Sequence, residues 1–121
     1  MAITTTAMTL GPEVGDHEWG VIFCSADLSG GEDIKAAVTG AHLCIDEFYI
    51  HSDADVTVDI GSAQDTGVTT ALLTGIGMVD GGNFGPVDFR GQRCVISTAF
   101  SIDASGAANI TGYVTGHTEY P

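Results

Sequence analysis

The stretch Phe100–Glu119, FSIDASGAANITGYVTGHTE, decides how this chain is read. It holds two extended runs joined by the small, flexible segment Ala104-Ser105-Gly106-Ala107. In the first run Phe100 and Ile102 point one way, and Ser101 and Asp103 the other. That period of two puts alternate side chains on opposite faces of a strand. In the second, Ile110 and Val114 share one face, and Asn109, Thr111, Tyr113 and Thr115 share the opposite one. Neither run carries groups arranged for chemistry. The segment reads as the completion of a sheet and points to a β-rich structural or interaction protein, not an enzyme.

The same pattern extends upstream. Asp55–Gly61, DVTVDIG, alternates most cleanly, with Val56, Val58 and Ile60 inward and Thr57 and Asp59 outward. His42–His51, HLCIDEFYIH, is the most apolar long run. Leu43, Ile45 and Tyr49 share one of its faces with Glu47, and Cys44, Phe48 and Ile50 share the other with Asp46. A bulge near Asp46-Glu47 would shift the register and move both acids out of the core. The 3/4 spacings partly fit a helix, but the β-branched and aromatic content favours a strand. Trp19–Cys24, WGVIFC, is apolar on both faces and reads as a strand covered on both sides. Ile34–Val38 fits a strand or a single helical turn. Val68–Leu73, Ile76–Val79, Val87–Phe89, Cys94–Asp103 and Ala108–His117 supply further short strands. In Cys94–Asp103, Ile96, Thr98, Phe100 and Ile102 share a face. The turns fall at Ser52–Asp55, Ser62–Gly67 and the glycine-rich Asp80–Pro86.

Roughly eight short strands with no βα alternation predict an all-β fold, a two-sheet antiparallel sandwich, in particular a jelly roll. An immunoglobulin-like topology is the runner-up. It is weakened because Trp19 precedes Cys24 and the Cys24–Cys94 separation is wide for that fold's bridge. The chain has 121 residues, which fits one domain. We read residues 1–12 as an N-terminal extended arm and 13–121 as a single β-sandwich domain. Hydrophobic residues make up 44% of the chain, too many for wholesale disorder. The arm itself, Ala2–Leu10, is uncharged and rich in β-formers until Gly11-Pro12 breaks it. It would either fold back as an edge strand, add to a neighbour's sheet, or stay disordered.

Sixteen acidic residues stand against three basic ones, Lys35, Arg90 and Arg93, for a formal net charge of −13. Affinity for polyphosphate comes from Lys and Arg, so nucleic acid is not an expected partner. Lys35 is the sole lysine, so lysine cannot guard most sheet edges; they must be short, bulged or covered. No run approaches the ~20 apolar residues of a membrane span, and the N-terminus lacks the basic start and apolar core of a signal peptide. Cys24, Cys44 and Cys94 show no metal-binding spacing and each lies in an apolar run, as buried small hydrophobes do; a single disulfide or an intermolecular link is the competing reading.

His51, Asp53 and Asp55 alternate, yet on an extended strand they cannot converge on one cation, and a solvated turn is the simpler reading. The four histidines, His17, His42, His51 and His117, show no paired ligand spacing. There is no GxSxG nucleophile elbow, and Asp46 and Glu47 face opposite ways on a strand. The DGGNFG stretch Asp80–Gly85 lacks the Lys-Ser/Thr of a phosphate loop. We therefore expect no catalytic residues, no cofactor and no metal.

The closing segment GAANITGYVTGHTE resembles the last strand and tail of small β-sandwich virion proteins of tailed bacteriophages. So does the pattern before it: VTVDIGSA, a glycine-rich loop with Gly85-Pro86-Val87, then an alternating strand. The resemblance covers roughly residues 35–119. It points in particular to capsid decoration (cement) proteins. It implies a jelly-roll homotrimer on the outer capsid surface of the virion, bridging subunits of the major capsid protein. It assigns Ile3, Thr4, Thr5, Thr6, Met8 and Leu10 of the arm to the shell or a neighbouring copy, and Tyr113 and Phe84 to a subunit interface. The alternative is a tail or neck accessory module that binds a receptor or glycan.

Overall fold

The computed structural model describes residues 3–8, 17–63, 68 and 70–121. Leu10, the break at Gly11-Pro12 and most of the loop before β6 lie outside the described residues. Among those described, nine strands run in chain order: β1 Thr4–Ala7, β2 Glu18–Ser25, β3 Glu32–Lys35, β4 His42–Ser52, β5 Val56–Ala63, β6 Thr70–Met78, β7 Asn83–Arg93, β8 Ala99–Ala104 and β9 Ile110–Glu119. They form two antiparallel sheets, ordered β1-β2-β9-β4-β7 and β3-β8-β5-β6. The sheets pack face to face as a β-sandwich, as the alternation predicts.

The two runs of Phe100–Glu119 become β8 and β9, one in each sheet. β9 is a central strand, paired with β2 along one side and β4 along the other. Its inward positions are Ile110, Gly112, Val114 and Gly116, all buried. Phe100 and Ile102 of β8 are fully buried against them from the facing sheet. Phe48 of β4 is the hub of the core. Its ring lies 6.2 Å from Phe23 and 6.0 Å, edge-on, from Phe100, so it ties two strands of one sheet to the other sheet. Phe84 and Phe89 of β7 each approach the same ring at 6.4 Å. Burial of this aromatic and aliphatic cluster supplies the main driving force for folding.

β4 takes the predicted strand form, and its register slips between Ile45 and Glu47. The bulge keeps Ile45 and Phe48 inward while Asp46 and Glu47 stay half-buried at the outer side. Three local expectations change. The two strands expected at Val68–Leu73 and Ile76–Val79 are replaced by one, β6, which takes in residues 70–73 and 76–78 of those runs. The glycine-rich segment is a turn only to Gly82, after which β7 runs for eleven residues. Residues 94–98 are not strand. Val95 and Ile96 are exposed there, because the chain turns with Thr98 Oγ1 donating to the Val95 carbonyl at 2.6 Å before β8 begins.

The sheet edges are protected largely without lysine. β1 and β3 have four residues each. β7 shifts register twice against β4 and bends at Arg90 and Gly91, with φ of 55° and 72°. β6 shifts register twice against β5. Lys35 sits on edge strand β3, its Nζ 5.6 Å from the centre of the Trp19 ring.

The outer face of the four-stranded sheet is acidic. Asp59 and Asp103 are direct cross-strand partners there, and Asp33 accepts a hydrogen bond from the buried Ser101 hydroxyl beside them. Partial burial and the Asp59 charge hold the Asp103 carboxyl above its usual range. A raised carboxylate pKa means the charge opposes folding at neutral pH, and the penalty disappears as pH falls through that pKa. Asp103→Asn is therefore expected to raise the thermal midpoint at pH 7 and to leave it unchanged near pH 3, as scanning calorimetry at the two pH values would report.

Candidate interaction face

The outer face of the five-stranded sheet differs in kind. Alternation fixes what reaches it: Ile22 and Cys24 from β2, Thr111, Tyr113 and His117 from β9, Cys44, Glu47 and Tyr49 from β4. The cross-strand pairs Ile22–Tyr113, Cys24–Thr111, Tyr49–Tyr113 and Cys44–His117 set them side by side. β1 adds Thr4 and Thr6 opposite Cys24 and Ile22. Met8 then lies over Gly20, where a Cβ would meet its sulfur at 2.8 Å. The absent side chain at Gly20 thus lets the arm close over β2.

At one end of this face the strands enclose a groove of about 440 Å³. Its walls are Thr4, Thr6 and Met8 on one side, Ile22 on the floor, and Tyr49 and Tyr113 opposite. None of its described lining residues is charged, in a chain whose net charge is −13. Ile22 is 52% exposed, a large apolar side chain left uncovered in the middle of a sheet face. The Tyr49 and Tyr113 rings stack at 5.6 Å. Their hydroxyls are fixed by donating to Asn83 Oδ1 at 2.6 Å and Glu47 Oε2 at 2.7 Å. The Glu47 carboxylate holds the Tyr113 phenol above its usual pKa.

Of the residues singled out from sequence, Thr4, Thr6, Met8 and Tyr113 meet in this groove. Thr5 falls on the opposite side of β1, and Ile3 packs against the core. Phe84 also packs against the core through Phe48, so it does not join Tyr113 on the outer face. Ile22, Cys24 and Tyr49 complete the site. Ile22 and Cys24 escape a reading of sequence because WGVIFC is apolar throughout, which suggests cover on both faces; in the structure Trp19, Gly20, Val21 and Phe23 are buried and Ile22 and Cys24 are exposed.

The other end of the face is polar. His117 lies between two carboxylates, with Nδ1 3.0 Å from Asp46 Oδ2 and Nε2 2.9 Å from Glu119 Oε2. The remaining Glu119 oxygen, Oε1, accepts from Arg93 Nη2 at 2.6 Å and from Nε at 3.1 Å. His117 and Arg93 together hold the Glu119 carboxyl down to about 2, and the Asp46 carboxylate raises the His117 imidazole. Cys44 is fully buried beneath this cluster, and burial pushes its thiol up to about 11. A buried, protonated thiol beside an imidazole is a poor nucleophile, since attack requires an accessible thiolate.

The alternating triplet His51, Asp53, Asp55 is dispersed among structural roles. His51 Nδ1 lies 2.9 Å from Asn83 Oδ1, and Asp55 accepts from the Asp80 amide at 2.9 Å. Asp53 accepts from the Asn109 amide at 2.7 Å and from its Nδ2 at 2.6 Å, which holds the Asp53 carboxyl below its usual range. These bonds pin the entry to β9. Their stabilisation is present above pH ~4 and lost as pH falls through the lowered pKa. Asp53→Ala is expected to lower the thermal midpoint at pH 7 and to converge with the wild type at pH 2–3, as a pH series of melting curves would show. Cys24, Cys44 and Cys94 are free thiols, with Cys24 exposed and the other two buried.

Comparison with protein-family models, curated proteins and solved structures returned no significant match.

Proposed function

We propose that this protein is a capsid decoration protein of a tailed bacteriophage, which docks the groove face of its five-stranded sheet on subunits of the major capsid protein. The observation that carries this reading is the uncharged groove in a strongly acidic molecule. Acidic side chains repel one another and resist association, so a groove whose lining lacks them is where association costs least. The opposite face, bearing Asp33, Asp59 and Asp103, then points to solvent. In this reading β1 is both groove wall and tether: its outer edge carries unpaired backbone groups that can extend a neighbour's sheet.

Jelly-roll winding belongs to the same proposal. It is supported by the pairings β2–β9, β3–β8, β4–β7 and β5–β6, which describe a long hairpin folded at β5–β6 and wrapped into two layers. The protein works by additive binding as a trimer on the shell exterior. Each trimer engages several subunits, so modest contacts must release together. The shell exterior offers no packaged nucleic acid, and the acidic surface suits that position. A glycan-binding accessory role is less well supported, because Phe84 and Phe89 of the loop side turn toward Phe48 instead of forming an exposed platform.

The arm gives the test. Deleting residues 1–12 removes one groove wall but no core strand. The truncated protein is expected to keep its β-type circular dichroism and lose occupancy on purified shells by at least about 10-fold, the loss of roughly 1.4 kcal/mol of shared binding energy. Undiminished occupancy of the folded truncation would overturn the reading.

A further inference from the structure

The polar end of the same face holds a donor set that the docking reading does not use. Cys44 Sγ, a nitrogen of His117 and a carboxylate oxygen of Glu119 all lie within 4.8 Å of one another. They come from two neighbouring strands. Cys44 and His117 are direct cross-strand partners, and Glu119 follows His117 by two residues on the same face of β9. We propose that Cys44, His117 and Glu119 form a binding site for Zn²⁺, with Asp46 and Arg93 as its outer partners.

The chemistry of the set favours that ion. A thiolate, an imidazole and a carboxylate are the ligand types zinc takes, whereas calcium and magnesium take oxygen alone. Tetrahedral zinc at its usual bond lengths needs neighbouring donors about 3.4–3.6 Å apart. His117 Nε2 and Glu119 Oε2 stand at 2.9 Å, so they open slightly on binding, and Cys44 closes by about an ångström from the outer limit of 4.8 Å.

The surroundings favour it independently. Metal-bound histidines characteristically donate their second ring nitrogen to a carboxylate, which fixes the tautomer and the ring plane. Asp46 Oδ2 stands 3.0 Å from Nδ1 in that position. The β4 bulge puts Asp46 there, since it is the residue left unpaired between Ile45 and Glu47 in the ladder with β9. Gly91 of β7 lies over the ring edge; a Cβ there would meet His117 Cε1 at 3.1 Å. Arg93 holds Oε1 of Glu119, while Oε2 faces His117 Nε2 at 2.9 Å, a contact the ion would replace. His117 and Glu119 are partly exposed, so the ion enters from the outer face and displaces to solvent both the thiol proton and the Nε2 proton that otherwise bridges His117 to Glu119. Three protein donors leave the fourth position to water. The site joins the start of β4 to the end of β9, and its effect is to fasten the closing strand.

Cobalt(II) is the probe, since a thiolate ligand gives it a charge-transfer absorption and tetrahedral geometry strengthens its visible bands. The full-length reduced protein is expected to take up one equivalent of Co²⁺ with both signatures, to release it to Zn²⁺, and to melt at a higher temperature with Zn²⁺ bound. Cys44→Ser is expected to lose the charge-transfer band. Asp46→Asn keeps all three ligands and is expected to weaken binding about 10–100-fold. A wild-type protein that takes up no stoichiometric Co²⁺ overturns the assignment. So does a charge-transfer band that survives Cys44→Ser. Should Cys44→Ser fail to fold, Asp46→Asn decides: unchanged affinity overturns the arrangement around His117.

Discussion

Phe48→Ala is expected to lower the free energy of unfolding by about 3–5 kcal/mol, measured as a shift of the urea midpoint with an unchanged slope. Phe48 is fully buried and is the ring on which Phe23, Phe84, Phe89 and Phe100 converge. Truncation removes its transfer energy and leaves a cavity between the sheets that the surrounding rings fill only in part. Single domains are stable by roughly 5–15 kcal/mol, so this one change removes a large fraction of the total. Phe48→Leu keeps most of the apolar volume but loses the edge-on contact with Phe100. It is expected to cost markedly less, which separates volume from ring geometry.

A comparable loss is expected from adding volume at Gly112. A Cβ there would stand 2.1 Å from the Tyr49 carbonyl oxygen and 3.0 Å from the Phe23 ring. The first obstacle is backbone of the neighbouring strand β4, which cannot swing aside as a side-chain tip can. Gly112→Val forces the β4–β9 ladder apart under the core aromatics, and overpacking of this kind costs about 1–3 kcal/mol or more. We expect low soluble yield and a broadened thermal transition. Gly116 obeys the same rule: a Cβ there would stand 2.3 Å from the Cys44 carbonyl oxygen and 2.5 Å from the Trp19 ring. By contrast Gly77, with nothing within 4 Å, is expected to accept alanine with little change.

These two glycines show where the sequence is legible and where it is not. ITGYVTGHTE announces a strand by its alternation, and that is enough to place Ile110 and Val114 inward. The alternation does not say that Gly112 and Gly116 are spaces into which Phe23 and Trp19 fit. The bulge at Asp46-Glu47 is readable because two acids interrupt both faces of an apolar run, a conflict that a register shift resolves. Nothing in the order of residues tells that this shift brings Asp46 to His117, 71 positions away. Cys44, His117 and Glu119 stay hidden for the same reason: ligand spacing within one element is visible in sequence, whereas a cross-strand cluster exists only once the register of β4 against β9 is known. The groove is half legible. The uncharged arm stands out against a net charge of −13, but its neighbours Ile22 and Cys24 sit in a run whose two faces look alike.

The two outer faces differ in a way that gives the proposed docking its direction. One sheet turns Asp33, Asp59 and Asp103 outward, and the other presents Ile22 between the arm and a pair of stacked tyrosines. Packing requires neither arrangement, since both faces lie outside the core. The proposed partner on the groove side would account for the exposed Ile22 and for a lining without charged side chains, the nearest carboxylate, Glu47, being held by the Tyr113 hydroxyl.

The most direct measurement is the occupancy of Ile22→Asp on purified shells, set against wild-type protein at equal concentration. Ile22 contributes nothing to the core, so the variant is expected to fold with a wild-type β spectrum. It places a charge in the centre of the groove proposed to dock, where desolvation without a partner is costly. A fall in occupancy of at least about 10-fold, equivalent to roughly 1.4 kcal/mol, is the predicted result. A folded Ile22→Asp protein that decorates shells as fully as the wild type would contradict the account.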